Sequence, residues 1–325
     1  SQHKTANNRL RLIHRSQPDQ NFTNTVSLEV AQVDVKSNDA GKHVMATGAA
    51  GLLSQIRVGS QLTISPSVRL DWDDHSDNKI ATGNLALLWS PEESMVQSVA
   101  VSGGTSYRNP TFNDLFWEDA MGYSKGNPDL IPERGMSSNM KVDLRPILEN
   151  QLQFSAGVSY FITDNLIQWA PDDAWVYSPQ NILKSESSVM RMSAQFLPNS
   201  LPVVIRLGTE STESQILSEG NDKGKSLLYV PPTSLWAEVE LKLGGLAANL
   251  NVRSLGERRY SYGEGELLRP YERMDGALNY SFSVSQFNVN LEGGVRNMLD
   301  TKDLQSVYDY PEPGRTIFMA VGLEL

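Results

Sequence analysis

The sequence predicts an all-β protein, a transmembrane antiparallel β-barrel of which about 15 strands are visible in residues 1–325. Three observations lead to this prediction. Many segments alternate apolar and polar residues with a period of two, the connections between them are alternately short and long, and no apolar run approaches the ~18 residues typical of a transmembrane helix. We expect the whole range 1–325 to be part of one barrel domain.

Each predicted strand has an apolar and a polar face. In the segment 287–296, Phe287, Val289 and Leu291 alternate with asparagine and glutamate side chains. The first strand is placed at 5–15, and further segments with the alternation are 61–72, 138–145, 151–162, 235–243, 246–253 and 317–325. A period of two indicates a strand, and a wholly polar face indicates contact with water.

The connections indicate two different rims. Short links are predicted at 17–20, 59–60, 90–94, 146–150, 198–201, 244–245 and 283–286. Between them lie mostly longer ones at 37–42, 73–79, 109–134, 171–187, 210–229, 256–269 and 298–314. One rim of tight turns and one rim of long loops is the layout of outer-membrane barrels.

A soluble β-sandwich is the competing fold, because its strands alternate as well. Sandwich strands average about five or six residues, however, whereas several segments here are long enough to cross a bilayer when tilted. Charged residues in mid-strand, such as Glu238 and Glu240, also favour a water-filled interior. Trp72 and Trp169 at the long loops and Trp89 at a short turn match the aromatic girdles of membrane barrels, and large residues at strand ends are the simpler alternative.

The composition excludes several classes of function. A formal net charge of -10 argues against nucleic-acid binding, and the absence of cysteine excludes disulfides, thiolate metal sites and cysteine nucleophiles. The histidines are scattered through the sequence, at His3, His14, His43 and His75, without a Ser/His/Asp grouping. We therefore expect no enzyme activity and no cofactor.

The strand count predicts an incomplete circumference. A barrel with both termini at the short-turn rim needs an even number of strands, and an open sheet in lipid would leave unsatisfied edges. Either one element is miscounted or further strands precede Ser1, and we expect the second.

Two stretches resemble a known family. They are 104–117 (GTSYRNPTFNDLFW) with 126–133 (GNPDLIPE), and 296–315 (RNMLDTKDLQSVYDYPEPGR) before the last strand. Both resemble signatures of TonB-dependent outer-membrane receptors, most of all those for vitamin B12 (cobalamin) and siderophores. The resemblance is specific from about residue 60 onward, and before that only the strand pattern is similar. Many family members end in an aromatic residue, and Leu325 departs from this pattern.

The resemblance implies a barrel of about 22 strands, filled by an N-terminal plug domain that carries a TonB-box peptide. Residues 1–325 would correspond to roughly the last 15 strands and contain no segment that resembles a plug. The implied location is the outer membrane of a Gram-negative-type bacterium. The implied partners are outer-membrane lipid, a TonB-type energy-coupling protein acting through the plug, and a small-molecule metal chelate.

In such receptors the ligand binds between the extracellular loops and the plug, so aromatic side chains on the long loops are candidates for ligand contact. These candidates are Tyr107, Phe112, Phe116, Trp117, Tyr123, Trp169, Trp175, Tyr177, Tyr260, Tyr262, Tyr308 and Tyr310. For any single candidate, packing between loops is the simpler alternative. Arg108, Arg258, Arg259 and Arg269 could attract a phosphate or carboxylate group of a ligand.

Two polar stretches have simpler interpretations. Asp71, Asp73, Asp74 and Asp77 provide oxygen donors for a hard cation such as calcium, but their spacing is not that of an EF-hand and we favour a solvated acidic loop. The prolines and the Gly-Asn-Pro-Asp turn of 126–133 favour a structural role that returns the chain to the wall.

The leading hypothesis is therefore the barrel portion of a TonB-dependent receptor for cobalamin or an iron siderophore. The alternatives are a receptor-like barrel that binds other envelope proteins as a scaffold, and a passive porin of about 14 or 16 strands.

Overall fold

A computed structural model describes residues 2–74, 79–148, 151–171, 176–263, 265–302, 305–307 and 310–324. In chain order the elements are β1 (His3–Asp19), β2 (Phe22–Ser37), β3 (Gly41–Val58), β4 (Leu62–Asp73), β5 (Lys79–Trp89), β6 (Val96–Arg108), α1 (Phe112–Phe116), β7 (Glu133–Leu144), β8 (Leu152–Pro171), β9 (Tyr177–Phe196), β10 (Val203–Ile216), β11 (Thr233–Leu243), β12 (Leu246–Leu255), β13 (Arg258–Arg259), β14 (Leu267–Leu268), β15 (Tyr271–Val284), β16 (Phe287–Arg296), β17 (Gln305–Val307), β18 (Tyr310–Pro311) and β19 (Thr316–Glu324). Within these ranges no helix has the length and apolar character to span a membrane.

One antiparallel sheet of 15 strands makes up nearly the whole fold, in the order β1 to β12, β15, β16 and β19. The hairpins β13–β14 and β17–β18 form separate two-stranded sheets within connections. The all-β prediction and the strand count are confirmed, and the two-sheet sandwich is wrong. Among the described residues, the outer edges of β1 and β19 have no partner strand.

The predicted alternation of connections is present. We call the end of the sheet with connections such as 59–61 and 244–245 the short-turn rim, and the end with 109–132, 217–232 and 256–270 the long-loop rim. Three predicted loops are too long. The predicted loop 171–187 is shorter because β8 and β9 pair as far as Pro171 and Tyr177, and the loop 210–229 is shorter because β10 extends to Ile216. The loop 37–42 is reduced to residues 38–40 between β2 and β3. Backbone pairing continues beyond the segments in which apolar residues alternate, so the alternation marks less than the full length of a strand.

The two faces of the sheet differ as the period predicts. Apolar side chains on one face are exposed, and Val68 keeps 59% of its surface accessible. The opposite face carries ion pairs, including Arg69 Nη2 to Asp71 Oδ1 at 2.8 Å and Arg206 Nη1 to Glu238 Oε2 at 3.1 Å. A whole face of exposed apolar side chains would be unfavourable in water. The apolar face therefore suits contact with hydrocarbon, and the charged face suits an aqueous interior.

Trp72 and Trp89 bound the apolar face at opposite rims, with 38% and 44% of their surfaces exposed. Trp89 is paired with Leu62, and Trp72 lies ten positions further along β4 (72 minus 62). Ten residues of a tilted strand rise by about 25 Å, which is the height of the apolar band of an outer-membrane barrel. Both positions fit the predicted girdles, whereas Trp169 does not, as described below.

The Val68→Arg variant tests which face meets lipid. An arginine near the middle of the apolar face is expected to destabilise the folded protein in a bilayer by about 2–4 kcal/mol. The neighbouring Ser67→Arg, on the opposite face, is the control and is expected to cost much less. Denaturant-dependent folding of the full-length protein into vesicles measures both, and equal costs would contradict the assignment of the faces.

Candidate ligand-binding site

The 109–132 connection, which carries the first family-like motif, is a structured loop. Pro110 fixes an extended entry, and Thr111 caps α1. The Asp114 amide donates to Thr111 Oγ1 at 3.1 Å, and the Thr111 amide donates to Asp114 Oδ2 at 2.9 Å. This reciprocal capping box fixes the start of a helix too short to be stable alone.

The loop is anchored by a small apolar cluster. Leu115, with only 1% of its surface exposed, packs with Leu130 of the same loop and Ile167 of β8. Phe116 packs against this cluster and stacks on the His43 ring of β3 with ring centroids 3.6 Å apart. These contacts fasten the loop to the wall from both sides.

The segment 126–132 has the structural character that its turn residues predict. A Cβ atom added to Gly126 would lie 2.7 Å from the backbone of Leu115, so only glycine allows this close approach. Asn127 Oδ1 accepts from the Asp129 amide at 3.0 Å, and Asn127 Nδ2 donates to the Pro179 carbonyl at 3.1 Å. The segment therefore ties the loop to β9.

Arg108 and Glu133 close the base of the loop. Arg108 Nε donates to Glu133 Oε2 at 2.8 Å, and Nη2 donates to Oε1 at 2.5 Å. Glu133 Oε1 also accepts from the Ile167 amide at 2.8 Å. On the other side, Arg108 Nη1 lies 3.8 Å from Asp114 Oδ2. The Arg108 guanidinium is thus paired with two carboxylates of the protein, and its attraction of an anionic ligand stays a prediction.

Arg258 is engaged as well. It is 5% exposed, lies 5.1 Å from the centre of the Tyr271 ring, and donates through Nη1 to the Arg269 carbonyl at 3.4 Å. Arg259 Nη1 donates to the Gly263 carbonyl at 3.1 Å. The Arg269 side chain is exposed. Of the four arginines predicted to attract an anion, Arg108 and Arg258 are thus committed to the protein itself.

An aromatic cavity lies at the long-loop rim, between β8, β9 and the connections 217–232 and 256–270. We call it the rim cavity; its volume is about 500 Å³. Its lining residues are Leu166, Ile167, Gln168, Trp169, Tyr177, Leu227, Leu228, Tyr229, Val230, Tyr260 and Tyr262. Four of the predicted ligand contacts, Trp169, Tyr177, Tyr260 and Tyr262, therefore meet in one place.

Among the described residues, the polar side chains that line the rim cavity are four tyrosines, Gln168 and Trp169. The Tyr262 hydroxyl donates to Gln168 Oε1 at 3.2 Å. Burial raises the pKa of the Tyr262 phenol above its ordinary value, so the group remains a hydrogen-bond donor at neutral pH. Sequence reasoning missed Tyr229, although it ends a predicted long loop and the rule that selected the other aromatic residues would have found it.

A second hollow of about 510 Å³ adjoins the first, lined by Arg108, Thr111, Asn113, Asp114, Trp117, Ser124 and Trp169. Trp169 lines both cavities. Its Nε1 donates to Asp114 Oδ1 at 3.1 Å, and its ring meets Trp117 edge-on with centroids 5.9 Å apart. Trp169 is therefore not a lipid-facing girdle residue, because β8 continues past the apolar band before reaching it.

The other candidate residues are dispersed. Tyr107 interacts with Asp71, and Phe112 lies 6.2 Å from Phe116. The Tyr123 side chain is largely exposed, while its carbonyl accepts from the Tyr177 amide. The backbone of Tyr310 belongs to β18. Trp175 and Tyr308 lie outside the described residues.

Asp71 and Asp73 of the acidic stretch are buried residues at the end of β4, so the interpretation as a solvated loop is wrong for these two. Asp71 is bound to Arg69, and Asp73, only 4% exposed, accepts from Asn109 Nδ2 at 3.2 Å. Asp74 Oδ1 accepts from the Ala46 amide at 2.9 Å, and Asp77 lies outside the described residues. In the part of the chain that is described, no three His, Asp or Glu side chains are grouped so as to hold a metal ion. These carboxylates serve as structural acceptors.

Comparison with known proteins agrees with this architecture. The sequence model of the family "TonB dependent receptor-like, beta-barrel" matches residues 5–298. The Vitamin B12 transporter BtuB of Vibrio vulnificus (strain YJ016) is 36% identical over 139 residues, which are 42% of this chain and 20% of that protein. Among solved structures, the copper transporter OprC matches with a TM-score of 0.73 at 14% identity, over 98% of this chain and 56% of OprC. The FrpB iron transporter from Neisseria meningitidis (F3-3 variant) matches with a TM-score of 0.71 at 11% identity, over 98% of this chain and 55% of FrpB.

The chain spans about half the length of these solved transporters. The structural likeness identifies the sheet as the wall of the same kind of barrel, and the family match extends over most of its strands. This chain belongs to the TonB-dependent receptor-like β-barrel family.

Proposed function

We propose that this chain is part of the wall of a TonB-dependent outer-membrane receptor that takes up a scarce metal chelate, cobalamin or an iron siderophore. The observation that carries the proposal is the rim cavity, where Trp169, Tyr177, Tyr229, Tyr260 and Tyr262 converge. Rigid aromatic rings with polar edges suit a corrin or a siderophore chelate, because they provide contact area with little loss of side-chain entropy.

The wall supports a location in the outer membrane of a Gram-negative-type bacterium. Its apolar face is exposed over a band bounded by Trp72 and Trp89, and its opposite face is charged. The names of the relatives, which describe vitamin B12, copper and iron transporters, support a metal-containing cargo. The aromatic residues of the long loops are proposed as ligand contacts.

The proposal includes parts of the protein outside residues 1–325. Unpaired edges such as those of β1 and β19 are unfavourable in a bilayer, so further strands of the same barrel domain are proposed to close the circumference. A plug domain with a TonB box is proposed to fill the interior and to couple it to a TonB-type protein.

Uptake by cells tests the proposal. The full-length protein is produced in cells that lack their own cobalamin and siderophore receptors, and accumulation of labelled cyanocobalamin and ferric siderophores is measured with and without TonB. Uptake of a chelate only in the presence of TonB is the expected result. Steady ohmic conductance in a planar bilayer without TonB would favour the porin instead, and a stable envelope partner without any ligand would favour the scaffold.

A further inference from the structure

We infer that the long-loop rim selects an uncharged chelate and discriminates against a polyanionic one. The inference rests on the proposed function and narrows its ligand class. It follows from the arrangement of charge around the two adjoining cavities, because net charge is one property in which the chelates proposed above differ.

No formally charged side chain among the described residues lines the rim cavity. Among the described residues, its lining consists of one tryptophan, four tyrosines, five aliphatic residues and Gln168. The polar atoms available to a ligand are hydroxyl groups and a side-chain amide, which hydrogen-bond to neutral amide or hydroxamate groups. An anion that enters such a site loses its hydration without gaining an opposite charge.

Three cations in the connections beside the rim cavity contact other groups of the protein. Lys225 Nζ donates to Asp222 Oδ1 at 2.9 Å and to the Tyr262 carbonyl at 2.7 Å. Arg259 is turned toward the Gly263 carbonyl, and Arg258 is buried against Tyr271. None of these three side chains belongs to the lining, and Lys225 and Arg258 are paired with other groups of the protein.

The adjoining hollow is unfavourable for an anion as well. Its cation is Arg108, which has Glu133 at 2.5 Å on one side and Asp114 at 3.8 Å on the other. Two carboxylates beside one guanidinium give this group a net negative charge. A polyanion near Trp169 would therefore be repelled on one side and unpaired on the other.

Binding of three probes to the purified full-length protein in detergent tests the inference. The probes are cyanocobalamin, the uncharged ferric hydroxamate ferrichrome, and the trianionic catecholate ferric enterobactin. At least one uncharged probe is expected to bind about tenfold or more tightly than ferric enterobactin. Its affinity is expected to change little with ionic strength, since no ion pair contributes.

A charge placed in the lining provides the matched variant. Leu227→Lys is expected to raise the affinity for ferric enterobactin by about tenfold and to make that affinity fall with added salt. Met121→Lys is the control, because it adds the same charge to an exposed position of the 109–132 loop outside both cavities.

The outcomes separate this inference from the proposed function. Tighter or equal binding of ferric enterobactin by the unmodified protein would overturn the inference and leave the receptor function standing. Binding of none of the three probes would overturn both.

Discussion

Replacing Trp169 by alanine is expected to weaken binding of the chelate by roughly 30-fold or more, equivalent to about 2 kcal/mol. The indole forms part of the lining of both cavities, and its hydrogen bond to Asp114 fixes its orientation before a ligand arrives. Truncation would merge the two cavities and remove the largest rigid surface of the site. Equilibrium binding to the full-length protein measures the effect.

Trp89→Ala is the matched control for this experiment. Trp89 lies at the short-turn rim on the apolar face, so the variant removes the same side chain without touching either cavity. It is expected to leave ligand affinity unchanged. A similar loss of affinity in both variants would indicate a general disturbance of the barrel and contradict the role given to Trp169.

Replacing Glu133 by alanine is expected to release the 109–132 loop at a cost of about 2–4 kcal/mol in local stability. The buried carboxylate accepts two hydrogen bonds from Arg108 and one from the Ile167 amide. Its removal leaves a buried amide without an acceptor and a guanidinium without its main partner. Faster hydrogen exchange of Ile167 and faster proteolysis within 109–132 are the expected observations.

Glu118→Ala provides the comparison within the same loop. Glu118 is exposed and contacts the wall through its backbone amide, which donates to the Asp39 carbonyl at 2.8 Å. Its side chain is expected to be dispensable for both measurements. Unchanged exchange at Ile167 in the Glu133 variant would show that the loop is held by its apolar cluster alone.

The strands of the wall could be predicted from the sequence, because one face meets an apolar medium and the other meets water. The segment 235–243 alternates for this reason. It coincides with β11 except that the strand begins two residues earlier, at Thr233. The same cause explains the errors at β8 and β9. Their distal halves lie beyond the apolar band, where pairing needs only backbone hydrogen bonds, so side chains there do not have to alternate.

The aromatic lining of the rim cavity was predictable in composition but less so in arrangement, and its role as a ligand site stays a prediction. Aromatic residues on long loops were a sufficient signal for Trp169, Tyr177, Tyr260 and Tyr262. The pairing of Arg108 with Glu133 depends on the register of β6 and β7, which places these residues directly opposite each other. Two oppositely charged residues at the ends of one long loop were the available clue. The burial of Arg258 depends on tertiary packing that no local pattern encodes.

The polar face of the wall also has a mechanical consequence. Arg206 and Lys242 are paired with Glu238 and Glu240, and Lys141 and Arg273 are each paired with an aspartate two residues along their own strand. Much of the wall's charge is thus neutralised by the wall itself, so the proposed plug domain would not have to supply counter-ions to the wall. We expect the force needed to withdraw that plug to depend mainly on broken hydrogen bonds and lost packing, and only weakly on ionic strength.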